Sequence, residues 1–457
     1  TGGREVWGAA LAWRQAGALE EAGIPRGRLR ALQPLLDGLA DGSVAPGRDA
    51  VVVVDEFGQI GTRQLLDLLR FQARHGFKVV AVGDERQCQS VEAGPVIGLL
   101  REALGPKAVP EVLTTVRQRG EREREIAGLF RGTGSESAEA HAANVARALA
   151  MKREDGTAEL VPGGYREAVE RTADLVLARR DAGGPGYTVT VSAPTNADAL
   201  AIGRAIRTRR QARGEVGPDR AAVRATDGAG NAYTLQLAVG DRVRLFARTR
   251  GVFAGPGGRG KSAAIGNNGS VLEVAEVRPS RGLVLRTAAG KEGFVAWEKL
   301  RDEGSGRVRL AYGDCLTIDS SQGLTSDEHV NALPSGSRAV TGFKAYVAES
   351  RHRVASWLVG SAGAELRDAA ERRPMNAPPP ADPAAEAWEN VARNLARQPV
   401  RETALGLLRS AVAEAKEGAR AFQGALRATE AREGAGRPAT TLRHTLERVQ
   451  ASRAVPR

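Results

Sequence analysis

The chain has 457 residues, of which 42% are hydrophobic and 4% aromatic, so it can bury sizeable cores and is not wholly disordered. Its net charge is +12, and no apolar run approaches the ~18 residues of a membrane helix. With no signal-peptide pattern at the N-terminus, we expect a cytoplasmic protein without membrane insertion. The two cysteines, Cys88 and Cys315, exclude a disulfide framework and a four-cysteine zinc site.

The positive charge is concentrated in one part of the chain. Residues 200–310 hold 21 basic and 10 acidic side chains, whereas residues 1–199 hold 25 basic and 27 acidic ones. Such a concentration indicates a surface that faces a polyanion, and nucleic acid is the first candidate. The alternative is that the arginines are scattered over solvated faces, which would not concentrate them in one segment.

The first third of the chain predicts a parallel α/β unit. Residues 5–22 are expected to form an amphipathic helix that stops at Gly23. The apolar run 50–54 predicts a strand buried on both faces of a sheet. Residues 62–74 predict a helix with Thr62 as N-cap, and residues 78–82 predict a second buried strand.

Later segments predict a second α/β unit that is interrupted by an all-β insertion. Residues 187–193 predict a strand, and a helix is expected after Asn196. Residues 233–300 contain short alternating strands separated by Gly and Asn-Gly turns, a pattern typical of a small barrel. Residues 311–360 return to α/β character, and a stiff proline-rich linker after Pro374 leads into an Ala/Arg/Glu-rich helical tail.

Polar side chains follow the two predicted strands of the first unit. Asp55 and Glu56 end the first strand, which is the usual form of a Walker B element. In such an element the Asp binds Mg²⁺ and the Glu orients and deprotonates water. The second strand leads through Gly83 and Asp84 to Gln87, which can hydrogen-bond a γ-phosphate. Acids after a strand also solvate ordinary turns, but two neighbouring clusters favour the functional interpretation.

Two arginines and one polar loop fit the same site. Arg117 closes the segment LTTVRQ, and Arg351 lies in YVAESRHR, where we predict a short strand before it. An arginine that reaches a transferring phosphoryl group neutralises its developing charge. Taken singly, each could be an ordinary surface residue. The loop TIDSSQGLT, residues 317–325, has the hydroxyl and amide groups suited to phosphate-backbone or nucleotide contacts.

These segments together resemble the ordered motifs II to VI of superfamily 1 helicases. VVVVDEFGQIG, VVAVGDERQCQSVEAG, LTTVRQ, TIDSSQGLTSDE and YVAESRHR look most like the RecD-like branch, and closest to the helicase half of MobF-class conjugative relaxases. GAALAWRQAGALEEAGI and VSAPTNADALAIGRAIR are similar to further stretches of those proteins. The resemblance covers roughly residues 5–360.

The resemblance implies an α/β fold with two RecA-like P-loop motor domains, an SH3-like insertion and a helical tail. The expected boundaries are 1–135 for a truncated first domain, 136–186 for a linking helical segment, 187–232 and 301–370 for the second domain, 233–300 for the insertion, and 371–457 for linker and tail. It also implies ATP-driven 5′ to 3′ translocation on single-stranded DNA with Mg²⁺. Three alternatives stay open for the helical tail: it packs on the motor, contacts the conjugative transfer machinery, or stays mobile. Of these we expect a partly ordered appendage that faces a partner.

The resemblance also assigns roles to residues by motif position. The catalytic set is Asp55, which would bind Mg²⁺, Glu56 for water activation, Gln87 for γ-phosphate sensing, and Arg117 and Arg351 as arginine fingers. The nucleotide-binding set is Gly83, Asp84, Gln322 and Gly323, with Gln322 coupling nucleotide to DNA. The DNA-binding set is Thr195, Asn196, Ser321, Thr325, Arg244 and Arg248.

The sequence departs from the pattern at its phosphate loop. Residues 255–262 fit GxxxxGK[ST] and end in Lys261 and Ser262, but they lie inside the predicted all-β insertion and precede a poor helix former. A working loop must follow a buried strand and open a helix, so we predict a basic hairpin tip instead. We expect the genuine loop upstream of Thr1, and hence an inactive motor in this chain alone. Asp319 and Ser320 replace the His and Lys of many relatives.

Three hypotheses remain open at this point. The first is a helicase motor, and the second is a single-stranded DNA-binding or loading module with a degenerate motor. The third, a different P-loop enzyme such as a nucleotide kinase, is disfavoured by the paired arginine motifs and the basic insertion. The five histidines are scattered without a metal-binding triad, so we expect no strand nicking.

Overall fold

The computed structural model describes residues 3–88, 90, 94–112, 115–134, 136–254, 260–376, 378–399, 407–417, 420 and 422–423. By their contacts, residues Thr1–Val400 form one compact unit and residues Arg401–Arg457 a second one. In the second unit the structure describes a helix over 407–417. No helix in the described ranges combines the length and the apolar character that crossing a bilayer requires.

The first sheet has four parallel strands in the spatial order β2-β1-β3-β4. Its elements are β1 (Val6–Ala10), α1 (Trp13–Ala18), β2 (Leu29–Ala31), α2 (Leu32–Asp41), β3 (Val51–Asp55), α3 (Thr62–His75), β4 (Lys78–Ala81) and α4 (Val96–Leu104), with 3-10 turns at Arg26–Arg28, Phe57–Gln59 and Pro106–Ala108. Val52 and Val54 of β3 are fully buried and pack in one core with Leu35 of α2 and Leu68 of α3. The predicted βαβ unit is therefore confirmed.

The helix predicted over residues 5–22 is wrong. Val6–Ala10 form β1, which pairs with β2 and β3, and the helix begins only at Trp13. Small and apolar residues in this segment satisfy both periodicities, and close packing against the neighbouring strand decides between them. A Cβ added at Gly8 would lie 2.7 Å from Leu29 Cδ2, so β2 fits closely against β1. The helix α3 has Gly61, not Thr62, as its N-cap.

The second sheet has five parallel strands in the order β16-β6-β17-β18-β5. Its strands are β5 (Ala158–Val161), β6 (Val189–Ala193), β16 (Leu316–Thr317), β17 (Ser326–Leu333) and β18 (His352–Ser361). The helices in this part of the chain are α5 (Glu121–Arg131), α6 (Ala138–Glu154), α7 (Tyr165–Gly183), α8 (Asn196–Ala212), α10 (Ile318–Ser321), α11 (Gly342–Glu349), α12 (Ala362–Glu371) and α13 (Pro383–Leu395). The strand over 187–193 and the helix after it lie where they were predicted.

Two segments belong more closely to this second α/β part than the sequence indicated. The stretch 136–186, expected to be a helical linker, contains β5, which pairs with β18 at the edge of the sheet. In the expected tail, Val391 and Leu395 of α13 pack in the hydrophobic core of the second α/β part. Buried Asn394 fixes α13 further, because its Nδ2 donates to Asp368 of α12 at 2.8 Å.

Between the two halves of the second α/β part lies an all-β insertion. It consists of the hairpin β7 (Ala221–Thr226) and β8 (Ala232–Leu237), and of a seven-stranded antiparallel sheet in the order β11-β10-β14-β13-β12-β9-β15. The sheet is built from β9 (Arg242–Leu245), β10 (Thr249–Phe253), β11 (Lys261–Gly266), β12 (Val271–Arg278), β13 (Gly282–Arg286), β14 (Glu292–Ala296) and β15 (Leu310–Tyr312), with the short helix α9 (Trp297–Leu300). The predicted fold class, α/β with an all-β insertion, is confirmed.

The last residues of the GxxxxGK[ST] match, Lys261 and Ser262, lie on a β-strand. Residues 255–259 of the match lie outside the described residues, but Lys261 opens β11 and pairs with Phe253 of β10 in antiparallel register. A phosphate-binding loop would require a helix at this point, where its N-terminal N–H groups could bind phosphate. The described end of the match is therefore a strand and not a helix, whereas the predicted hairpin tip, residues 255–259, lies outside the described residues.

Candidate nucleotide site and its DNA-facing surroundings

The acidic pair lies at the carboxyl end of β3, the edge where parallel α/β sheets bind ligands. Asp55 is the last residue of the strand, and Glu56 follows it with a left-handed backbone conformation, φ 51°. This conformation is uncommon for a residue with a side chain and clusters at functional sites. Asp55 Oδ1 accepts a hydrogen bond from the Glu56 backbone N–H at 2.8 Å, which fixes the two carboxylates relative to each other.

Gln322 connects this acidic pair to the second α/β part. Its Nε2 donates to Glu56 Oε2 at 2.7 Å, across 266 residues of sequence. The Gln322 side chain is buried, and its Oε1 has no protein hydrogen-bond partner in the described structure. Gly323 follows with φ 80°, and a Cβ there would lie 3.9 Å from Glu56 Oε1. The polar loop predicted to contact nucleotide thus meets the acidic pair directly.

Arg14 in α1 holds that loop from the first sheet. Its Nη2 donates to the backbone oxygens of Ser320 and, at 3.1 Å, of Gln322. The neighbouring Gln15 donates from Nε2 to Gln59 Oε1, just beyond the acidic pair, at 3.2 Å. Sequence reasoning gave neither residue a role, because a single Arg-Gln pair in a short helix carries no pattern that identifies a partner 300 residues away.

The two predicted arginine fingers meet at the turn between α11 and β18, where Arg351 lies and to which Arg117 donates a hydrogen bond. Arg351 is 1% exposed, and it donates from Nε to the Val347 oxygen at 2.8 Å and from Nη2 to Ser350 Oγ at 3.0 Å. Arg117 donates from Nη1 to the Ser350 oxygen at 2.7 Å. Gln118 donates to the same oxygen, which fixes the Arg117 segment against the turn. The segment before Arg351 is the helix α11, so the strand predicted there is wrong.

Burial and charge shift the ionisation of these groups. Burial is the largest effect on Glu56 and raises its pKa, and the neighbouring Asp55 raises it further. The hydrogen bond from Gln322 and the charges of Arg351 and Arg117 act in the opposite direction. Burial, followed by repulsion from Arg117, lowers the pKa of Arg351 to about 10. A carboxylate with a raised pKa that faces two arginines has the properties of a general base beside a site for developing negative charge.

The residues that follow β4 reach the same edge of the sheet. Gly83 allows the segment after β4 to pack closely against the turn after β3, because a Cβ at this position would lie 2.9 Å from the backbone N of Phe57. Gln87 Oε1 is buried and has no protein partner in the described structure, so it is available to a ligand. Asp84 instead pairs with Arg131 at 3.3 Å. Of the three residues predicted here, Gln87 alone has a free buried polar atom.

The residues predicted to bind DNA differ in how far their polar groups are available to a ligand. Thr195 caps α8 and donates to Asp198 Oδ2 at 2.7 Å, and Ser321 Oγ donates to the Ile318 oxygen at 2.7 Å. Both hydroxyls therefore have partners inside the protein. Asn196 is the first residue of α8 and lines a small cleft beside Arg244, whereas Thr325 is exposed.

Arg244 and Arg248 lie where the β insertion meets the first sheet and the polar loop. Arg244 is buried and donates from Nη2 to Ser320 Oγ at 2.6 Å. Arg248 is exposed, and its guanidinium carbon lies 4.4 Å from the ring centroid of Trp13 in α1. Arginine and aromatic side chains at one junction are the groups that bind single-stranded nucleic acid. Trp13 had no role in the sequence prediction.

The metal prediction rests on Asp55 alone. No group of three or more His, Cys, Asp or Glu side chains in the described part of the chain is placed to hold a metal ion. Mg²⁺ at phosphoryl-transfer sites is usually held by one or two carboxylates together with phosphate oxygens and waters. A single carboxylate at the carboxyl end of β3, beside unpartnered amide oxygens of Gln87 and Gln322, fits that requirement.

Comparison with known proteins gives matches of three kinds. A family described as "AAA domain" matches residues 1–151. The "Probable conjugal transfer protein TraA" of Sinorhizobium fredii (strain NBRC 101917 / NGR234) is 26% identical over 355 residues, which is 77% of this chain and 28% of that protein. The "Conjugal transfer protein TraA" of Rhizobium radiobacter is 29% identical over 188 residues, 39% of this chain and 16% of that protein. The chain thus spans less than a third of the length of these curated relatives.

Among solved structures, the chain is similar to a Pif1 helicase from Bacteroides in complex with ADP-AlF3 and ssDNA, with a TM-score of 0.40 and 14% identity over 78% of this chain and 82% of that one. A Pif1 helicase from Candida albicans gives a TM-score of 0.42 and 13% identity over 78% of this chain and 91% of that one. The similarity therefore reaches conjugal transfer proteins by sequence and helicases by structure.

Proposed function

We propose that this chain is the motor part of an ATP-dependent DNA helicase that works in conjugative DNA transfer and moves 5′ to 3′ on single-stranded DNA. The observation that carries the proposal is the 2.7 Å hydrogen bond from Gln322 to Glu56. It joins the acidic pair of the first sheet to the polar loop of the second α/β part, where two arginines also converge. The sequence similarity to conjugal transfer proteins supports the transfer process.

In this proposal each residue at the junction has a separate task. Asp55 would hold Mg²⁺, which when bound neutralises phosphoryl oxygens. Glu56 accepts the proton of the attacking water, and its hydrogen bond to Gln322 keeps the carboxylate oriented. Arg117 and Arg351 stabilise the negative charge that develops on the transferred phosphoryl group. Gln87 reports whether the γ-phosphate is present through its unpartnered Oε1.

The same contacts connect hydrolysis to DNA. The loop that carries Gln322 is bonded through Ser320 both to Arg14 of α1 and to Arg244 of the β insertion. One short loop therefore connects Glu56 with Arg14 and Arg244, two basic side chains at the junction with the β insertion. A movement of Glu56 can be transmitted to both of them through this loop. We place single-stranded DNA along this junction, over Arg248 and Trp13, and the protein in the cytoplasm. We also propose that residues 401–457 contact the transfer machinery.

The decisive experiment is DNA-stimulated ATP hydrolysis by Glu56→Gln, measured in a protein that carries this chain together with a complete phosphate-binding loop. The variant keeps the hydrogen bond with Gln322 but cannot accept a proton, so we expect kcat to fall by about 100-fold or more while single-stranded DNA binding persists. Glu121→Gln is the matched control, because Glu121 is 95% exposed on α5 and should leave kcat unchanged. Equal activity of Glu56→Gln and wild type would refute the role of Glu56.

A second candidate is a single-stranded DNA-binding or loading module that does not turn over ATP. It is favoured by the observation that the GxxxxGK[ST] match opens a strand and not a helix. The same assay separates the two candidates. In the wild-type protein that carries this chain with a complete phosphate-binding loop, single-stranded DNA binding without ATP turnover selects the module, and turnover selects the motor. A chain that binds no single-stranded DNA at low salt would refute both.

A further inference from the structure

A cleft of about 310 Å³ opens in the β insertion, beside the junction with the first sheet. The turn between β7 and β8 forms one side of this cleft, and residues 302–309 form the other. Phe246 lies at its inner end and also lines a smaller cleft that contains Asn196. None of the predicted site residues accounts for this larger cleft. Its volume is at the lower end of the range for small-ligand sites, enough for one nucleotide unit.

Phe246 offers an aromatic surface to this cleft. The ring is half-buried, and the guanidinium carbon of Arg244 lies 4.7 Å from its centroid. Gly228 leaves the ring accessible on the turn side: a Cβ there would lie 3.6 Å from Phe246 Cδ1, so a larger side chain would fill the space beside the ring. Flat aromatic side chains of this kind stack with nucleobases of any sequence.

The positive groups around the ring have incomplete protein partners. Arg244 is buried, and in the described structure no carboxylate lies within ion-pair distance of it. The Nε atoms of Arg244 and of Arg309 are both buried without a hydrogen-bond partner. Arg309 Nη1 approaches Asp302 only to 4.0 Å. Because buried charges are normally paired, the buried guanidinium of Arg244 without a carboxylate partner indicates an anionic ligand, and the partly exposed Arg309 guanidinium can reach the same ligand.

The acids of the cleft limit what that ligand can be. Asp227 Oδ1 accepts from the backbone N–H groups of Ala229 and Asn231, each at 2.9 Å, and Asp302 Oδ1 accepts from Ser305. Both carboxylates are thus used to form turns. Two acidic side chains in the cleft disfavour a free triphosphate. A nucleotide within a strand brings one phosphate charge and an uncharged base, which suits this mixture of charges.

We propose that the cleft binds one nucleotide of single-stranded DNA, with its base stacked on Phe246 and its phosphate on Arg309. This inference rests on the proposed function and names a binding subsite within it. Arg244 covers the ring from the side of the polar loop, where it is bonded to Ser320. The strand would therefore pass from the junction of Trp13 and Arg248 into the cleft.

The test measures single-stranded DNA affinity by fluorescence anisotropy with a labelled oligothymidine. Phe246→Leu should weaken binding by about 10-fold, since base stacking on an aromatic side chain contributes roughly 5- to 150-fold. Phe294→Leu is the matched control: Phe294 is half-buried in the same antiparallel sheet, with the guanidinium carbon of Arg278 5.2 Å from its ring centroid. Phe246→Tyr, which keeps a stacking ring, should restore the affinity. Melting temperatures identify any variant that fails to fold.

An abasic oligonucleotide tests the stacking directly. If the base stacks on Phe246, wild type and Phe246→Leu bind abasic DNA equally. Arg309→Gln should reduce the slope of log affinity against log salt by about one, as expected for one lost phosphate contact. Unchanged affinity of Phe246→Leu for normal DNA would overturn the subsite while leaving the proposed function intact. Failure of the wild type to bind single strands would instead refute the proposed function.

Discussion

The most demanding prediction concerns a buried ion pair behind Arg351. Lys152 of α6 and Glu349 of α11 lie 3.0 Å apart, and both side chains are fully buried. Lys152 Nζ also donates to the oxygen and to Oγ of Ser356, each at 2.6 Å. Glu349 ends the helix that leads into the arginine turn, so this pair fixes the base of the turn. We predict that Lys152→Met destabilises the second α/β part strongly.

The size of this loss of stability follows from the groups that still contact Glu349 in the Lys152→Met variant. Removing one partner of a buried pair leaves an uncompensated charge, which costs about 3–5 kcal/mol. Glu349 would still accept hydrogen bonds from Asn331 Nδ2 at 3.0 Å and from Ser356 Oγ at 2.9 Å. These two hydrogen bonds favour a loss of stability of about 3 kcal/mol, the lower end of that range. For a domain of roughly 150–250 residues, such a loss lowers the melting temperature by about 6–12 °C.

Differential scanning calorimetry of the wild type and two variants checks this prediction. Lys344→Met is the matched control, because Lys344 pairs with Asp319 at 2.8 Å near the surface, where such a pair contributes less than about 1 kcal/mol. The double variant Lys152→Met, Glu349→Leu should lose less stability than the sum of its single variants, since no unpaired charge remains. A melting temperature of Lys152→Met equal to that of Lys344→Met would refute the reasoning.

Three further predictions follow from individual contacts. Gln322→Ala removes the hydrogen bond that lowers the pKa of Glu56, so that pKa should rise further. Because the proposed mechanism uses Glu56 in its ionised form, the acid limb of the kcat–pH profile should move to higher pH, and an unmoved limb would contradict the assignment. Lys261→Ala should leave the ATP affinity of the protein with a complete phosphate-binding loop unchanged in an equilibrium titration, since Lys261 opens a strand, and a loss of about 10-fold would show that it binds phosphate. Gly282→Ala should lower the free energy of unfolding, measured by urea titration, by at least about 2 kcal/mol. The reason is that Gly282 has φ 153° and that a Cβ at this position would lie 2.1 Å from the Val295 backbone oxygen. A variant as stable as the wild type would refute this prediction.

Sequence patterns predicted the fold best where one local signal dominated. The all-valine run of β3 and the helix α3, which ends at Gly76 with φ 79°, lie where they were expected. Local signals failed where small residues allow two periodicities. Residues 5–22 contain β1 as well as α1, and the segment before Arg351 is helical although a strand was predicted there. In both cases packing against neighbouring elements decides the conformation.

The candidate site was predictable only in part, for the same reason. Asp55 and Glu56 follow a recognisable strand, so their place at the edge of the sheet could be expected from the sequence. Gln322 could be placed near them only through the resemblance to a family, because 266 residues separate it from Glu56. Arg14 and Lys152 lack any local pattern. Their roles depend on partners that only the folded chain brings within hydrogen-bond distance.

The ionisation of Glu56 connects these observations. Burial and Asp55 raise this pKa, whereas Gln322 of the polar loop, Arg351 of the turn, and Arg117, which is bonded to that turn, lower it. The contacts of the loop and the turn therefore favour the ionised form of Glu56, the form that the proposed base requires. Hydrolysis would then depend on closure of this junction, which the loop at Ser320 also shares with Arg244 of the β insertion. In the proposed function, a DNA strand bound at the β insertion would therefore act on the pKa of Glu56 through this loop.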